Sequence, residues 1–534
     1  MTTSLSRASG LDRPGDAGLT EALQTAVRLL AGRLSASMGP DGSFRGRCES
    51  RVLESALTLR LLRSEDYLPR RQERLVTYLV NAVRWPEATA FDRALVQGAV
   101  HGRVVADGEQ VLTDYLRDFD HFSAARKRLM LSACLVVAGA VELPATVDLA
   151  RIRTAPTNVH WVNLILRSLR IILAHDRGHD ADPAERETLL GELRGHGELG
   201  VWENHVTAHL LALTAAQRLE PGSEVVRHGI DRVLTCQNPD GGVPGIARLE
   251  NFTTGPAGLA LARSGVGGRA ELDRVGRYLA GQQGTDGGWG FGAGTGQSDV
   301  DTTAYAVNCL RELGGRRYDD AFAAAGDYLA AISNHDGGFP TYVHGGSSEV
   351  AMTAGAATAL AATGRHTDVV RRAVRYLVDG QQSDGTFECG WSLSEANAMW
   401  RVMWALRAVP ERLLDAGLRG ACRQVVTRAS DRLALTQNDD GGWGHRPGDA
   451  SDVTSTAYAV LSLVDGGVSD QHPRQLEHAA EYLLGQLSAE GGVSAPPDQV
   501  APRPLPFDAP VFTEIWALLA LAGLYEANIK GAGA

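Results

Sequence analysis

The sequence predicts an all-α protein made of two α/α-barrel domains, and three observations carry that prediction. A short glycine-rich turn recurs along the chain, the stretches between turns have helical periodicity, and strand-like alternation is nearly absent. The turn reads Gln237-Asn-Pro-Asp-Gly-Gly-Val, Gln283-Gly-Thr-Asp-Gly-Gly-Trp, Asn334-His-Asp-Gly-Gly-Phe, Gln382-Ser-Asp-Gly-Thr-Phe, Gln437-Asn-Asp-Asp-Gly-Gly-Trp and Gln486-Leu-Ser-Ala-Glu-Gly-Gly-Val. A worn copy, Asp41-Gly-Ser-Phe44, lies near the start. The acidic positions from Asp240 onward are 240, 286, 336, 384, 440 and 490, a spacing of 46 to 56 residues. Periods of this size mark arrays whose units must stack to bury their apolar faces.

Each unit reads as two helices. Tyr305-Ala-Val-Asn-Cys-Leu-Arg-Glu-Leu has apolar residues three and four apart, and Ala457-Tyr-Ala-Val-Leu-Ser-Leu-Val does likewise until Gly466-Gly467. Glycine supplies the left-handed conformation that ends a helix. Antiparallel helix pairs that close on themselves make an α/α barrel. At 534 residues the chain exceeds what one core normally serves, so two domains are expected. A second, larger duplication marks one of them. Ser298-Asp-Val-Asp-Thr-Thr-Ala-Tyr-Ala-Val307 nearly repeats, 153 residues on, as Ser451-Asp-Val-Thr-Ser-Thr-Ala-Tyr-Ala-Val460. We therefore assign residues 269–534 to one barrel and 35–268 to the other.

Composition narrows the function. A net charge of -11 argues against a nucleic-acid backbone as partner. Lys127 and Lys530 are the only lysines among 52 basic residues, so an anionic substrate would have to be held by arginine. The six cysteines form no CxxC pair, the start lacks an apolar signal core, and the apolar run Leu129–Val141 is too short to span a bilayer. A cytoplasmic protein without a membrane span is the expectation.

The two long copies differ informatively. Ser298 and Asp299 have counterparts in Ser451 and Asp452, whereas Asp301 is replaced by Thr454. A carboxylate added to a shared scaffold suggests chemistry. The competing reading is helix capping, because Ser298-x-x-Asp301 has the spacing of a capping box. Proton donation at neutral pH would need burial and the like charge of Asp299 to favour the neutral carboxyl.

The turns resemble the QW motifs of the squalene–hopene cyclase and bacterial class II diterpene cyclase superfamily, and Asp299-Val-Asp301-Thr302-Thr303 resembles its DxDD acid motif. The resemblance implies a class II terpene cyclase of βγ architecture, with residues 1–34 packing on the C-terminal β barrel. It implies Asp301 as proton donor, assisted by Asp299, Thr302 and Thr303. Thr302 stands where the family has a final aspartate, and this DxDTT variant resembles the motif of drimane-type sesquiterpene cyclases. The implied reaction protonates the terminal alkene of farnesyl diphosphate and gives a bicyclic drimenyl-type diphosphate. The alternative is the same chemistry on geranylgeranyl diphosphate, giving a labdane- or halimane-type product.

Aromatic faces would stabilise the cations; candidates are Trp289, Tyr305, Phe339, Tyr342, Trp400, Trp404, Trp443 and Tyr458. Trp289 and Trp443 sit in repeat turns and also suit helix-end packing. The isoprenyl diphosphate partner calls for Arg401, Arg446 or Arg503 and for Mg²⁺, with Glu250 as the candidate metal ligand. The DDxxD motif of diphosphate-ionising synthases is absent, and Asp114-Tyr-Leu-Arg-Asp118-Phe-Asp120 has the wrong spacing for it, so the product should keep its diphosphate. A protein prenyltransferase would need a zinc-binding thiolate and histidine, and Glu388-Cys389 has no histidine at ligand spacing. A phosphatase nucleophile should follow a buried strand, whereas Gly292-Ala-Gly-Thr-Gly-Gln-Ser precedes Asp299. A non-catalytic repeat scaffold would be indifferent to loss of the Asp301 carboxyl.

Overall fold

A computed structural model describes residues 16–117, 119, 123–142, 152–195, 200–501 and 503–532. Residues 1–15 of the N-terminal segment, and Asp118 and Asp120, lie outside the described residues.

The repeat turn explains how one barrel closes. In the turns at 283 and 437 the first glycine has φ of +89° (Gly287) and +87° (Gly441), a region closed to most side chains. A Cβ at either position would lie 2.4 Å from a carbonyl oxygen of the next outer helix, at Ala324 or His478. Asp286 and Asp440 accept the N–H of the second glycine at 3.0 Å. Gln283 and Gln437 each donate within the turn at 2.8 Å and to the following outer helix, at Ala321 or Gln475, at 2.9 Å. The tryptophan that ends each turn reaches back to the preceding outer helix, Trp289 Nε1 to Leu279 O at 2.7 Å and Trp443 Nε1 to Leu433 O at 3.0 Å. One turn thus staples two successive outer helices. In the turn expected to begin at Gln382, the staple is its neighbour Gln381.

Among the described residues, the helices Glu250–Arg263, Val300–Gly314, Val350–Thr363, Glu395–Ala408, Val453–Asp465 and Val511–Ala532 pack side by side as a closed inner ring. Outside them lie Arg269–Gly281, Asp319–Ile332, Thr367–Asp379, Ala416–Thr436 and Pro473–Gly485. The sixth outer place is filled by Asp16–Ser37, packed along the last helix. The first and last of the described helices therefore share one barrel. Helix Glu250–Arg263 falls on the N-terminal side of the expected boundary at 268, yet it belongs to this second barrel. Its Ala257, Leu259, Ala260 and Leu261 are buried in that core, together with Leu23 to Leu34 of the first helix.

The first barrel has a separate core, running from Leu53 to Val243. Helices Val52–Ser64, Ala90–His101, Ala124–Ala138, His160–His175 and Val206–Leu219 form its inner ring. The few strands are two-residue pairs, such as Ser50–Arg51 against Val243–Pro244. No helix among the described residues is long and apolar enough to cross a membrane.

Candidate active site

The acid motif opens the inner helix Val300–Gly314. Asp299, not Ser298, is its cap. The Asp299 carboxylate accepts the Thr302 N–H at 2.6 Å and the Thr302 hydroxyl at 2.8 Å. Such a cap contributes about 1 kcal/mol. Ser298 instead donates to Asp286 of the preceding turn at 2.9 Å. Thr303 is a latch: its hydroxyl accepts the Trp289 N–H at 2.9 Å and donates to Asp299 O at 2.7 Å. The repeat copy has the same arrangement, with Asp452 capping Ser455 at 2.7 Å and Thr456 receiving the Trp443 N–H at 3.0 Å.

Asp301 is only 8 % exposed. Arg401, expected at the diphosphate, instead forks onto it from helix Glu395–Ala408, with Nη1 3.1 Å from Oδ2 and Nη2 on Oδ1. The guanidinium also lies over the Tyr305 ring, 5.0 Å from its centroid. Asp299 is pushed up to about 7, chiefly by burial, with the Asp301 charge adding to the effect and the Thr302 hydrogen bonds opposing it. Two carboxylates and one guanidinium thus share a buried space. A single proton shared by the three groups makes them neutral together.

Both aspartates and Thr302 line a largely apolar cavity between the two barrels. The first barrel contributes Trp161; the second contributes Phe252, Phe291, Tyr342 and Trp391. Trp161 meets Tyr342 edge-on at 4.8 Å and Phe291 at 5.9 Å, and Tyr342 meets Trp391 at 6.0 Å. Asp301 also borders a smaller inner chamber lined by Tyr305, Tyr458, Phe512, Trp516, Asn397 and Gln499. At that chamber Asp498 is buried and accepts from Ser392 at 2.7 Å, from the Ser394 N–H at 3.0 Å and from Tyr458 at 3.3 Å.

Part of the cavity wall is cationic. Arg126 and Lys127, on helix Ala124–Ala138 of the first barrel, line it together with Arg503 of the second. Lys127 is lowered to about 7 by burial and by the nearby charges of Arg126 and Arg503. Arg503 is 2.8 Å from Glu349 and lies 4.3 Å from the centroid of the Trp391 ring. Glu349 also accepts from Thr341 at 2.5 Å.

Several expected site residues are elsewhere. Trp289, Trp443 and Phe339 are buried in repeat turns, where their backbone N–H groups bond to Thr303, Thr456 and Thr353. Trp400 is buried in the barrel interior, its N–H on Asp465 at 2.9 Å, stacked 5.7 Å from Trp404. Trp404 lies under Arg263. Arg446 is exposed on a loop whose N–H bonds to Asp449. Glu250 is paired with Arg248 at 2.5 Å, and the described residues contain no group of three or more His, Cys, Asp or Glu able to hold a metal. The cationic wall therefore suits a polyanion and does not itself fit a protein-held metal.

Sequence reading missed Lys127, Arg126, Glu349 and the wall aromatics Trp161, Phe252 and Phe291. Two of these carried a signal. Lys127 is one of two lysines in an arginine-rich chain, and Ser348-Glu349-Val350 is a third copy of the Ser298-Asp299-Val300 helix start.

The model of the squalene-hopene cyclase C-terminal domain matches residues 260–388 and 347–455. A drimenyl diphosphate synthase from Streptantibioticus cattleyicolor is 40% identical over 528 residues, covering 96% of this chain and 97% of that one. One from Streptomyces showdoensis is 39% identical, covering 92% and 93%. Among solved structures, ent-copalyl diphosphate synthase from Streptomyces platensis aligns with a TM-score of 0.58 at 18% identity, over 94% of this chain and 99% of that one. That likeness speaks to the fold alone.

Proposed function

The chain belongs to the class II terpene cyclase family, and we propose that it converts farnesyl diphosphate into a bicyclic drimenyl-type diphosphate, with Asp301 as the proton donor. The observation that carries this reading is a buried carboxyl on the wall of an aromatic-lined cavity between the barrels. The two relatives named as drimenyl diphosphate synthases support the choice of substrate and product.

The geometry supports the following sequence. The substrate lies along the cavity with its diphosphate against Arg126, Lys127 and Arg503, where charge-assisted hydrogen bonds are available. Its far alkene meets Asp301. The Asp301 O–H bond breaks as the alkene electron pair forms a new C–H bond, which leaves a tertiary cation. Two further alkenes then attack in turn and close two rings. Loss of a proton from the last cation gives an alkene, and the diphosphate is retained. Trp161, Phe252, Phe291 and Tyr342 present faces or edges to the cation path, with a facing ring contributing roughly 0.5–2 kcal/mol.

The proton must sit on Asp301 at the moment of reaction. Asp299 is then the anion, and its cap position provides for that charge: two hydrogen bonds from Thr302 and the positive end of the helix. When the proton is on Asp299, Arg401 holds the Asp301 carboxylate. Both states keep the group neutral. Mg²⁺ accompanying the diphosphate, and a cytoplasmic location, belong to the same proposal; no step is assigned to the metal.

Incubation of the purified protein with farnesyl and geranylgeranyl diphosphates, followed by dephosphorylation and product analysis, tests the reading. A bicyclic C15 alcohol from the first supports it. Turnover of only the C20 substrate would replace it with the diterpene alternative.

A further inference from the structure

The excursion between Trp289 and Asp299 is pinned at its base, because Asp299 N donates to Trp289 O at 2.9 Å. Its outer part, Gly292-Ala-Gly-Thr-Gly-Gln, is held by the other barrel. Asn204 Nδ2 donates to Ala293 O at 3.0 Å and to the Thr295 hydroxyl at 3.1 Å. A Cβ on Gly292 would lie 2.8 Å from Asn204 Nδ2 and 2.6 Å from Arg248 O. One on Gly296 would lie 3.1 Å from Glu203 Oε1. The glycines thus let the loop press flat against residues 203–204.

Those two residues adopt an unusual backbone. Glu203 and Asn204 are consecutive, buried and left-handed, with φ of +42° and +59°. Such conformations are strained for residues other than glycine and persist where surrounding contacts fix them. Here the contacts are the loop itself, His160, whose Nδ1 is 2.7 Å from Glu203 Oε1, and Ala247, whose N–H donates to Asn204 O at 2.9 Å. The equivalent excursion of the repeat copy, Gly444 to Ala450, is held from within its own barrel: Asn438 Nδ2 donates to Asp449 O at 3.0 Å and the Glu395 N–H to His445 O at 3.0 Å, while Arg446 to Ala450 are exposed.

The clasped loop carries a cavity wall. Phe291 faces Trp161 and fixes Phe252 through a 3.0 Å bond from the Phe252 N–H to Phe291 O, while Gln297 donates to Tyr342 O at 3.2 Å. We infer that Asn204 is a positioning residue that clasps the acid-side loop across the barrel seam and keeps water away from the carbocations. Without the clasp, Phe291 and Tyr342 lose their backing, and water reaches the last cation before deprotonation. Its oxygen lone pair then forms a C–O bond, one of its protons leaves to solvent, and a hydroxylated bicyclic diphosphate replaces the alkene. This inference rests on the proposed cyclisation.

The test compares wild type with Asn204→Gly and Gly296→Ala. Glycine keeps the left-handed backbone and deletes only the side-chain bonds, so a loss of fold is not expected. Two measurements are made: the ratio of hydroxylated to alkene product, and amide hydrogen exchange of residues 290–297. The expected result is a hydroxylated fraction raised about tenfold in Asn204→Gly, with faster exchange in that peptide and an unchanged Tm. Gly296→Ala should move the ratio in the same direction. Unchanged exchange and an unchanged ratio would overturn the inference. Faster exchange with an unchanged ratio would also overturn it, because the clasp would then be structural only. Failure of the wild type to form any bicyclic product would refute the proposed function instead, while the exchange measurement would still read the clasp.

Discussion

The helix starts at Asp299 and Asp452 are two copies of one scaffold that differ in one decisive residue. Each is capped by its aspartate, latched by a threonine to the tryptophan of the preceding turn, and stapled through that indole to an outer helix. At the third position of the motif one copy has Thr454, whose hydroxyl lies 3.3 Å from that of Thr513, and the other has Asp301, forked by Arg401 beside the cavity. The comparison separates architecture from chemistry inside a motif that looks uniform. Asp299 and Thr303 hold the helix in both copies; the carboxyl of Asp301 has no structural counterpart.

The largest effect expected from breaking this comparison is at Asp301. Asp301→Asn should lower kcat by on the order of 10³-fold or more, given that a positioned general acid contributes about 10²–10⁴. Folding should survive, because Thr454 shows that the scaffold accepts a neutral side chain here. The converse, Thr454→Asp, should create no activity in the Asp301→Asn background, since the repeat copy lacks both the cavity and Arg401. Product analysis of the two variants checks both outcomes.

Next comes Lys127. Removing it with Lys127→Ala should raise KM by roughly 10–100-fold, in line with about 1.5–3 kcal/mol for a hydrogen bond to a charged group. Because its free pKa is about 7 and a bound diphosphate would raise it, binding takes up a proton above neutrality. KM should therefore climb as pH rises past about 7. Lys127→Arg should flatten that climb, and steady-state kinetics from pH 6 to 9 read both.

A smaller effect belongs to Asp299. Its folded pKa, about 7, is raised above the unfolded value near 3.8, so the folded protein holds this proton more tightly than the unfolded chain does. The stability it contributes is fully present below pH about 4 and is lost as pH rises through 7. Asp299→Asn, which keeps an acceptor for the Thr302 N–H, should gain in Tm over wild type at pH 8 and show no gain at pH 4. Wild-type turnover should fall over the upper part of the same range, as Asp299 loses its proton.

The smallest effects separate latch from catalyst. Thr303→Ala and Thr456→Ala each orphan a buried tryptophan N–H and should cost about 1–3 kcal/mol in denaturant unfolding. Their costs should be similar, and kcat per folded molecule should stay within roughly twofold of wild type.

What the sequence made legible follows from locality. The turn's glutamine, aspartate, glycines and tryptophan lie within seven residues of one another, so the barrels and the acid motif can be read directly. The role of Arg401 could not, since it meets Asp301 across 100 residues. Tyr305 and Tyr458 were found at the inner chamber, but Trp289, Phe339 and Trp443 were drawn in by their chemistry although the turn itself consumes them. The boundary at 268 fell too late because helix Glu250–Arg263 looks like its neighbours on either side, and only its packing against the acid helix reveals its barrel. Trp161 and Lys127 come from the first barrel, whose weaker repeats gave no register from which to aim a side chain at the seam.

The most direct measurement is a paired assay of wild type and Asp301→Asn with farnesyl diphosphate, reading both substrate affinity and bicyclic product. The account predicts affinity within about threefold of wild type and bicyclic product formed on the order of 10³-fold or more slowly by the variant. A variant that binds normally and cyclises at the wild-type rate would contradict it, because the proton would then come from another group.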